Sequence, residues 1–240
     1  MSIYAVGDLH GMLDLYKQIK AFLKPEDKVY CLGDCGDRGP QPWETIKAVA
    51  TDPQFIYIKG NHEDMLVNAM DEYLNGHSGD GLYLLARNGG LRTFNDWVAD
   101  GAKPIWCNYL KNLPIHLRYR NSQGYNIELS HAGFTPGTFP KDNDLIWSRD
   151  HFYDDPLIYN TISVHGHTPI QLMIEGCPDL IKWFGADEDS YESGAFWYCK
   201  AHKVNIDTGA YATGQIVLLD LDTFDEHIFS VKEEETYECE

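Results

Sequence analysis

Short apolar runs recur along the first third of the chain, and each leads into a polar cluster and then into apolar positions at helical spacing. Ile3–Val6 is rich in strand formers and precedes Gly7, Asp8, Leu9, His10 and Gly11. Apolar positions 12, 13, 15, 16, 19, 22 and 23 then fit one face of a helix. Residues 29–32 repeat the pattern, ending in Gly33-Asp34-Cys35-Gly36-Asp37-Arg38-Gly39, and the prolines at 40 and 42 open a helix predicted through Ala50. Residues 55–58 repeat it again, ending in Lys59-Gly60-Asn61-His62-Glu63, with a helix predicted through about Leu74. Alternating strands and helices predict parallel pairing with right-handed crossovers. In such sheets ligands gather at the carboxyl ends of the strands, where these polar clusters fall.

The middle of the chain changes character. Residues 75–115 are punctuated by glycine and predict a loop and two or three short helices, a small helical insertion at about 75–113. Strand patterning returns at 116–120 and 125–129, a hairpin about the turn 121–124, and again at 161–164 and 204–206. Residues 215–221 and 226–231 make a final hairpin, and 233–240 form an acidic tail. No linker composition interrupts residues 1–232, which are expected to form one domain.

Composition narrows the function classes. At 240 residues and 43% apolar, the chain can bury a large core. Its 19 basic and 37 acidic residues give a net charge of −18, a field that repels nucleic acid and anionic membranes and that bound divalent cations would relieve. The first residues carry no basic, apolar leader and no uncharged run is long enough to span a bilayer, so a soluble, cytoplasmic protein is expected. Six scattered cysteines (31, 35, 107, 177, 199, 239) suit reduced thiols better than a disulfide framework.

Six residues that follow predicted strands carry the chemistry: Asp8, His10, Asp34, Asn61, His131 and His167. Carboxylate, imidazole and carboxamide suit Mn, Fe, Zn, Ni or Mg better than a sulfur-held zinc. Six ligands exceed the needs of one open ion but fit two divalent metal ions sharing a carboxylate, and Asp34 stands midway between the two sets in chain order. The density of charge in GDCGDRG then has an explanation. Asp34 holds metal, Arg38 reaches an anion on it with a planar, permanently charged fork, and Asp37 is left as a hydrogen-bond partner.

In order, GDLHG, GDCGDRG, GNHE, SHAG, WSRD and GHT resemble the phosphoprotein phosphatase branch of the calcineurin-like metallophosphoesterase superfamily, over residues 7–209. Gly60 to Met65 and Asn88-Gly89-Gly90 are closest to the bacteriophage and bacterial serine/threonine phosphatases. The resemblance implies an α/β fold with two central β-sheets flanked by helices. It implies that Asp8, His10 and Asp34 hold the first metal and Asp34, Asn61, His131 and His167 the second, with manganese the expected ion. Arg38, Arg149 and Asn61 would bind phosphate, and His62 paired with Asp37 would be the general acid in direct attack by water activated between the metals. The implied substrate is a phosphorylated protein or peptide. The alternative is a nucleotide phosphate, since symmetrical dinucleoside tetraphosphate hydrolases share several of these motifs; Glu63 and Asp37 lean against it. One departure is Gly36 where the family usually carries Val, which would loosen the loop. Another is the length of residues 170–203.

Other residues carry weaker signals. Arg149 in WSRD reads either as a phosphate clamp or as a surface ion pair near Asp150. His165 reads as a strand-end packing residue and Asp207 as a hydrogen-bonding tie, while His77, His116, His151, His202 and His227 belong to no motif. Cys31 and Cys35 are read as packing residues rather than a redox pair, and the aromatic and acidic residues 183–198 as a packed excursion rather than a substrate flap.

Overall fold

The computed structural model describes residues 1–77, 79–154, 157–158, 160–169, 194–199 and 201–231. The acidic tail and most of the 183–198 excursion lie outside these residues. Three strand-loop-helix units open the chain: β1 (Ile3–Val6) with α1 (Leu13–Phe22), β2 (Lys28–Cys31) with α2 (Pro42–Thr51), and β3 (Phe55–Tyr57) with α3 (Asn61–Asn75). The insertion consists of three helices, α4 (Gly81–Arg87), α5 (Leu91–Ala99) and α6 (Pro104–Lys111). There follow β4 (His116–Arg120), β5 (Asn126–Ser130), α7 (Asp144–Trp147), a 3₁₀ turn (Asp150–Tyr153) and β6 (Thr161–His165). The last described elements are β7 (Phe196–Tyr198), β8 (Lys203–Asn205), α8 (Ala210–Thr213), β9 (Gln215–Asp220) and β10 (Glu226–Ser230).

Among the described residues two five-stranded sheets result, ordered β10-β9-β1-β2-β3 and β4-β5-β6-β8-β7. The parallel pairing expected of the opening units is present, β1 on β2 and β2 on β3. The closing hairpin adds antiparallel strands to the other edge of β1. In the second sheet the β4-β5 hairpin joins a parallel core of β5, β6 and β8. Residues 196–198 are a strand of that sheet, antiparallel to β8, so this end of the aromatic segment is packed rather than free.

Period-two alternation explains the layers. Ile3 and Ala5 of β1, and Val217 and Leu219 of β9, face Ile127, Leu129, Ile162, Val164 and Val204 of the second sheet, forming the core between the sheets. Their neighbours Tyr4, Val6, Ile216 and Leu218 face the other way and pack with residues of α1, α2, α3, α5 and α6. Trp43 and Trp97, both fully buried, anchor α2 and α5 in that outer core. Both sheets present the carboxyl ends of β1, β2, β3, β5, β6 and β8 to loops that carry the polar clusters. No helix among the described residues is long and apolar enough to cross a membrane.

Candidate metal and phosphate site

The loops that follow these strands are bound to one another before they hold anything else. His10 N–H donates to Asp34 O at 2.9 Å, Gly11 N–H to Cys35 O at 2.8 Å, and Gly39 N–H to His10 O at 3.0 Å. The interlock maintains an unusual backbone: His10, Asp34, Asp37, Arg38 and His167 have φ of 40°, 51°, 68°, 62° and 71°. L-residues enter this left-handed region at about 1–2 kcal/mol each, so the surrounding contacts must over-determine them. Gly33 permits one such close approach. At φ +104°, a Cβ there would stand 2.6 Å from Gly60 N.

Glu63 is the clamp beneath this arrangement. It is buried and accepts four hydrogen bonds: Asp34 N–H and Gly60 N–H at 2.8 Å on one oxygen, Cys35 N–H at 2.9 Å and Tyr57 O–H at 2.7 Å on the other. It caps its own helix at Gly60 and fixes the loop that carries Asp34. Gly36 does not loosen that loop. It is buried, its carbonyl accepts from His10 Nδ1–H at 2.9 Å, and a Cβ would stand 2.6 Å from Ile46 Cδ1, so the missing side chain admits Ile46 instead.

Within this frame the predicted residues converge. Metal-ligating atoms of His10, Asp34 and His62 lie within 4.8 Å of one another, as do those of Asp34, His131 and His167. Asp34 belongs to both groups, and the first contains His62, read from the sequence as the acid, where Asp8 was expected. His131 Nε2 lies 3.3 Å from Asp34 Oδ2, 2.9 Å from Asn61 Oδ1 and 3.1 Å from His167 Nδ1. Asp8 sits beside this group, with both its oxygens accepting from His167 N–H at 3.1 Å. The outer ring nitrogens are occupied by backbone carbonyls: His10 Nδ1 by Gly36, His131 Nδ1 by Leu32 at 2.8 Å, and His167 Nε2 by Trp147 at 3.2 Å. Those donations orient the other nitrogen of each ring inward, as in histidines that hold metals.

The charges of the site are poorly matched among its protein groups. Burial and the Asp207 charge hold Asp8 well above the usual carboxylate range, and burial with Asp34 pushes Asp207 up to about 6. Burial, His62 and Arg38 keep His10 well below the usual imidazole range, and burial with His131 pushes His167 down to about 2. Burial also opposes charge on His131, but Asp34 and Asp8 outweigh it and raise that ring to about 10. Against the same burial, His131 and His62 hold Asp34 well below its ordinary value. Oxygen and imidazole donors thus crowd a dry space in which divalent cations would stabilise both the carboxylates and the neutral rings. The donor set fits such ions, with Asp8, His10, Asp34, Asn61, His131 and His167 available to hold them.

Beside these donors lie the groups read as acid and clamp, the acid pair buried and the two arginines exposed. His62 Nδ1 is 2.6 Å from Asp37 Oδ2, and burial's opposition is overcome by Asp34 and Asp37, so the His62 ring is pushed up. Exposed Arg38 spans His62 Nε2 at 3.0 Å and His10 Nε2 at 2.5 Å, with its guanidinium 4.9 Å from the Tyr211 ring centre. Exposed Arg149 donates from Nε to Thr168 Oγ1 at 3.0 Å, which turns it towards the His167 loop. Asp207 accepts from Gly209 N–H at 2.9 Å, and buried His165 bonds Tyr198 Oη at 2.7 Å. The Cys31 and Cys35 sulfurs are buried as free thiols 3.3 Å apart.

Four participants escape motif reading by role: Glu63, Tyr57, Thr93 and Tyr211. Glu63 has a local signal, since a Glu three residues after the N-cap position, here Gly60, is the spacing of a capping box. Thr93 has none, because it meets Asp37 only through the fold, 56 residues away.

A family model described as calcineurin-like phosphoesterase matches residues 1–206. Serine/threonine-protein phosphatase 2 of Escherichia coli is 34% identical over 159 residues, 62% of this chain and 68% of that protein. The symmetrical bis(5'-nucleosyl)-tetraphosphatase of Nitrosococcus oceani is 31% identical over 140 residues, 57% of this chain and 45% of its own length. The match thus spans less than half of the tetraphosphatase. In fold, the chain is similar to a crystal structure described as a candidate diadenosine tetraphosphatase (TM-score 0.62, 14% identity, 96% of this chain and 94% of that one). It is also similar to the metallophosphoesterase from Sphaerobacter thermophilus (TM-score 0.58, 15% identity, 97% and 88%). The motif series, the paired sheets and the family match together make this chain a member of the calcineurin-like phosphoesterase family.

Proposed function

We propose that the protein is a metal-dependent phosphomonoester hydrolase acting on phosphoserine and phosphothreonine in proteins. The observation that carries this reading is the buried Asp37-His62 pair at 2.6 Å, next to Arg38 and the Asp34 donor groups. Asp8, His10 and Asp34 are assigned to one divalent ion and Asp34, Asn61, His131 and His167 to the other, with manganese proposed. When bound, such ions acidify water and take up negative charge on phosphoryl oxygens. Arg38 and Arg149 bind and orient the phosphate, and Asn61 adds its carboxamide. Asp37 keeps the His62 ring protonated, and His62 delivers that proton to the departing alkoxide, whose high basicity otherwise makes departure slow. Loading His10 requires Arg38 to leave its Nε2, which frees the guanidinium for the phosphate. Free thiols at Cys31, Cys35 and Cys107 suit a cytoplasmic setting.

Hydrolysis of a dinucleoside tetraphosphate is the second reading, supported by relatives of comparable identity. An anhydride expels a phosphate that needs little protonation, so a dedicated acid pair favours the monoester. The two are separated by turnover of a phosphoserine peptide and of diadenosine tetraphosphate with manganese. The peptide is expected to be the better substrate; a higher kcat/KM for the dinucleotide would replace the first reading with the second. Asp37→Asn is expected to slow the peptide about 100-fold and 4-nitrophenyl phosphate much less. Equal losses would remove His62 from the acid role.

A further inference from the structure

The helical insertion reaches the candidate site at the corner formed by Asp37 and Arg38. Arg38 N–H donates to Gly89 O at 3.2 Å. Asp37 N–H donates to Thr93 Oγ1 at 3.1 Å, and that hydroxyl donates in return to Asp37 Oδ1. Gly90 makes room for the carboxylate, since a Cβ there would stand 2.6 Å from Asp37 Oδ2. Thr93 is fully buried, so water is not at hand to replace its hydroxyl. Asp37 therefore divides its carboxylate, one oxygen to His62 and the other to Thr93. A carboxylate held through one oxygen can turn about its terminal torsion, whereas one held through both has its plane fixed. The same hydroxyl satisfies the backbone of a residue at φ 68°, which needs such a partner to persist.

We propose that Thr93, contributed by α5, is a positioning residue that orients Asp37 towards His62, so that proton delivery to the leaving group depends on the helical insertion. This rests on the acid role proposed above for His62. Thr93 acts only through Asp37 and belongs to neither ligand group. Replacement by Val keeps the shape and removes the hydroxyl; replacement by Ser keeps the hydroxyl.

The test measures turnover of a phosphoserine peptide and of 4-nitrophenyl phosphate, with manganese, for the unaltered chain, Thr93→Val, Thr93→Ser and Asp37→Asn. Alongside, the proton NMR spectrum of the metal-free protein reports the downfield His62 Nδ1–H signal. Thr93→Val is expected to lose about tenfold or more on the peptide and less than about threefold on the nitrophenyl ester, and to shift or broaden that signal. Thr93→Ser is expected to recover the peptide rate to within about threefold. Equal losses on the two substrates, a Ser variant as poor as Val, or an unmoved proton signal would overturn the proposal. If Asp37→Asn itself slows both substrates equally, the acid role of His62 fails and the proposal falls with it. A leaving-group effect in Asp37→Asn without one in Thr93→Val fails Thr93 alone. Thr93→Ala serves in the same comparison if the Val variant does not fold.

Discussion

Glu63 carries more of the local structure than any other single side chain in the site, because one carboxylate satisfies three buried N–H groups and the Tyr57 hydroxyl. Hydrogen bonds to a charged acceptor contribute about 1.5–3 kcal/mol, and a buried donor left without a partner costs about 1–3 kcal/mol. In Glu63→Gln the amide nitrogen must face N–H donors, so a loss of about 3 kcal/mol is expected in urea unfolding. Tyr57→Phe removes one donor and leaves the rest, and about 1 kcal/mol is expected. If Glu63→Gln unfolds at the same urea midpoint as the unaltered chain, the clamp role is wrong.

At the scale of elements, the strand-loop-helix units carry ligand candidates only because their loops cross at van der Waals contact. Gly33 marks that crossing and Gly76 gives the contrast. Both have positive φ, but a Cβ on Gly33 would overlap the backbone of Gly60, whereas a Cβ on Gly76 would have nothing within 4 Å. Gly76→Ala is expected to cost about 1 kcal/mol, the strain of the left-handed region alone. Gly33→Ala adds overpacking against backbone and is expected to cost about 3 kcal/mol or more, and to lower manganese bound at equilibrium dialysis. Equal destabilisation by the two substitutions would show that the loop crossing is not the constraint.

Across the whole molecule, the second sheet has a polar outer side whose burial makes stability depend on pH. His151 stacks on Phe152, bonds Tyr198 Oη at 3.0 Å, lies against His165 and offers its carbonyl to Lys203 Nζ. Burial and the Lys203 charge push its ring down to about 3. The folded value lies below the unfolded one, so between about pH 6.5 and 3 the unfolded chain binds the extra proton. Stability contributed by the neutral ring is present above pH 6.5 and is lost as pH falls, by up to about 1.4 kcal/mol per pH unit. His151→Phe is expected to flatten the fall in urea midpoint between pH 6.5 and 4.5; an unchanged slope would contradict a buried neutral ring. Much of the architecture was already legible from the one-dimensional pattern. Alternating apolar runs mark the parallel units, and Asp8, His10, Asp34, Asn61, His131 and His167 follow strands because backbone chemistry puts turn glycines and polar groups there. These are local properties, set by residues within a few positions of one another. Only the tertiary structure decided that Asp37 meets Thr93, that Arg38 lies under Tyr211, that Gly36 receives Ile46, and that Phe196–Tyr198 closes a sheet. Those contacts join residues far apart in the chain, and no spacing rule encodes them; they exist because two sheets bury a common core and bring their carboxyl ends to one side.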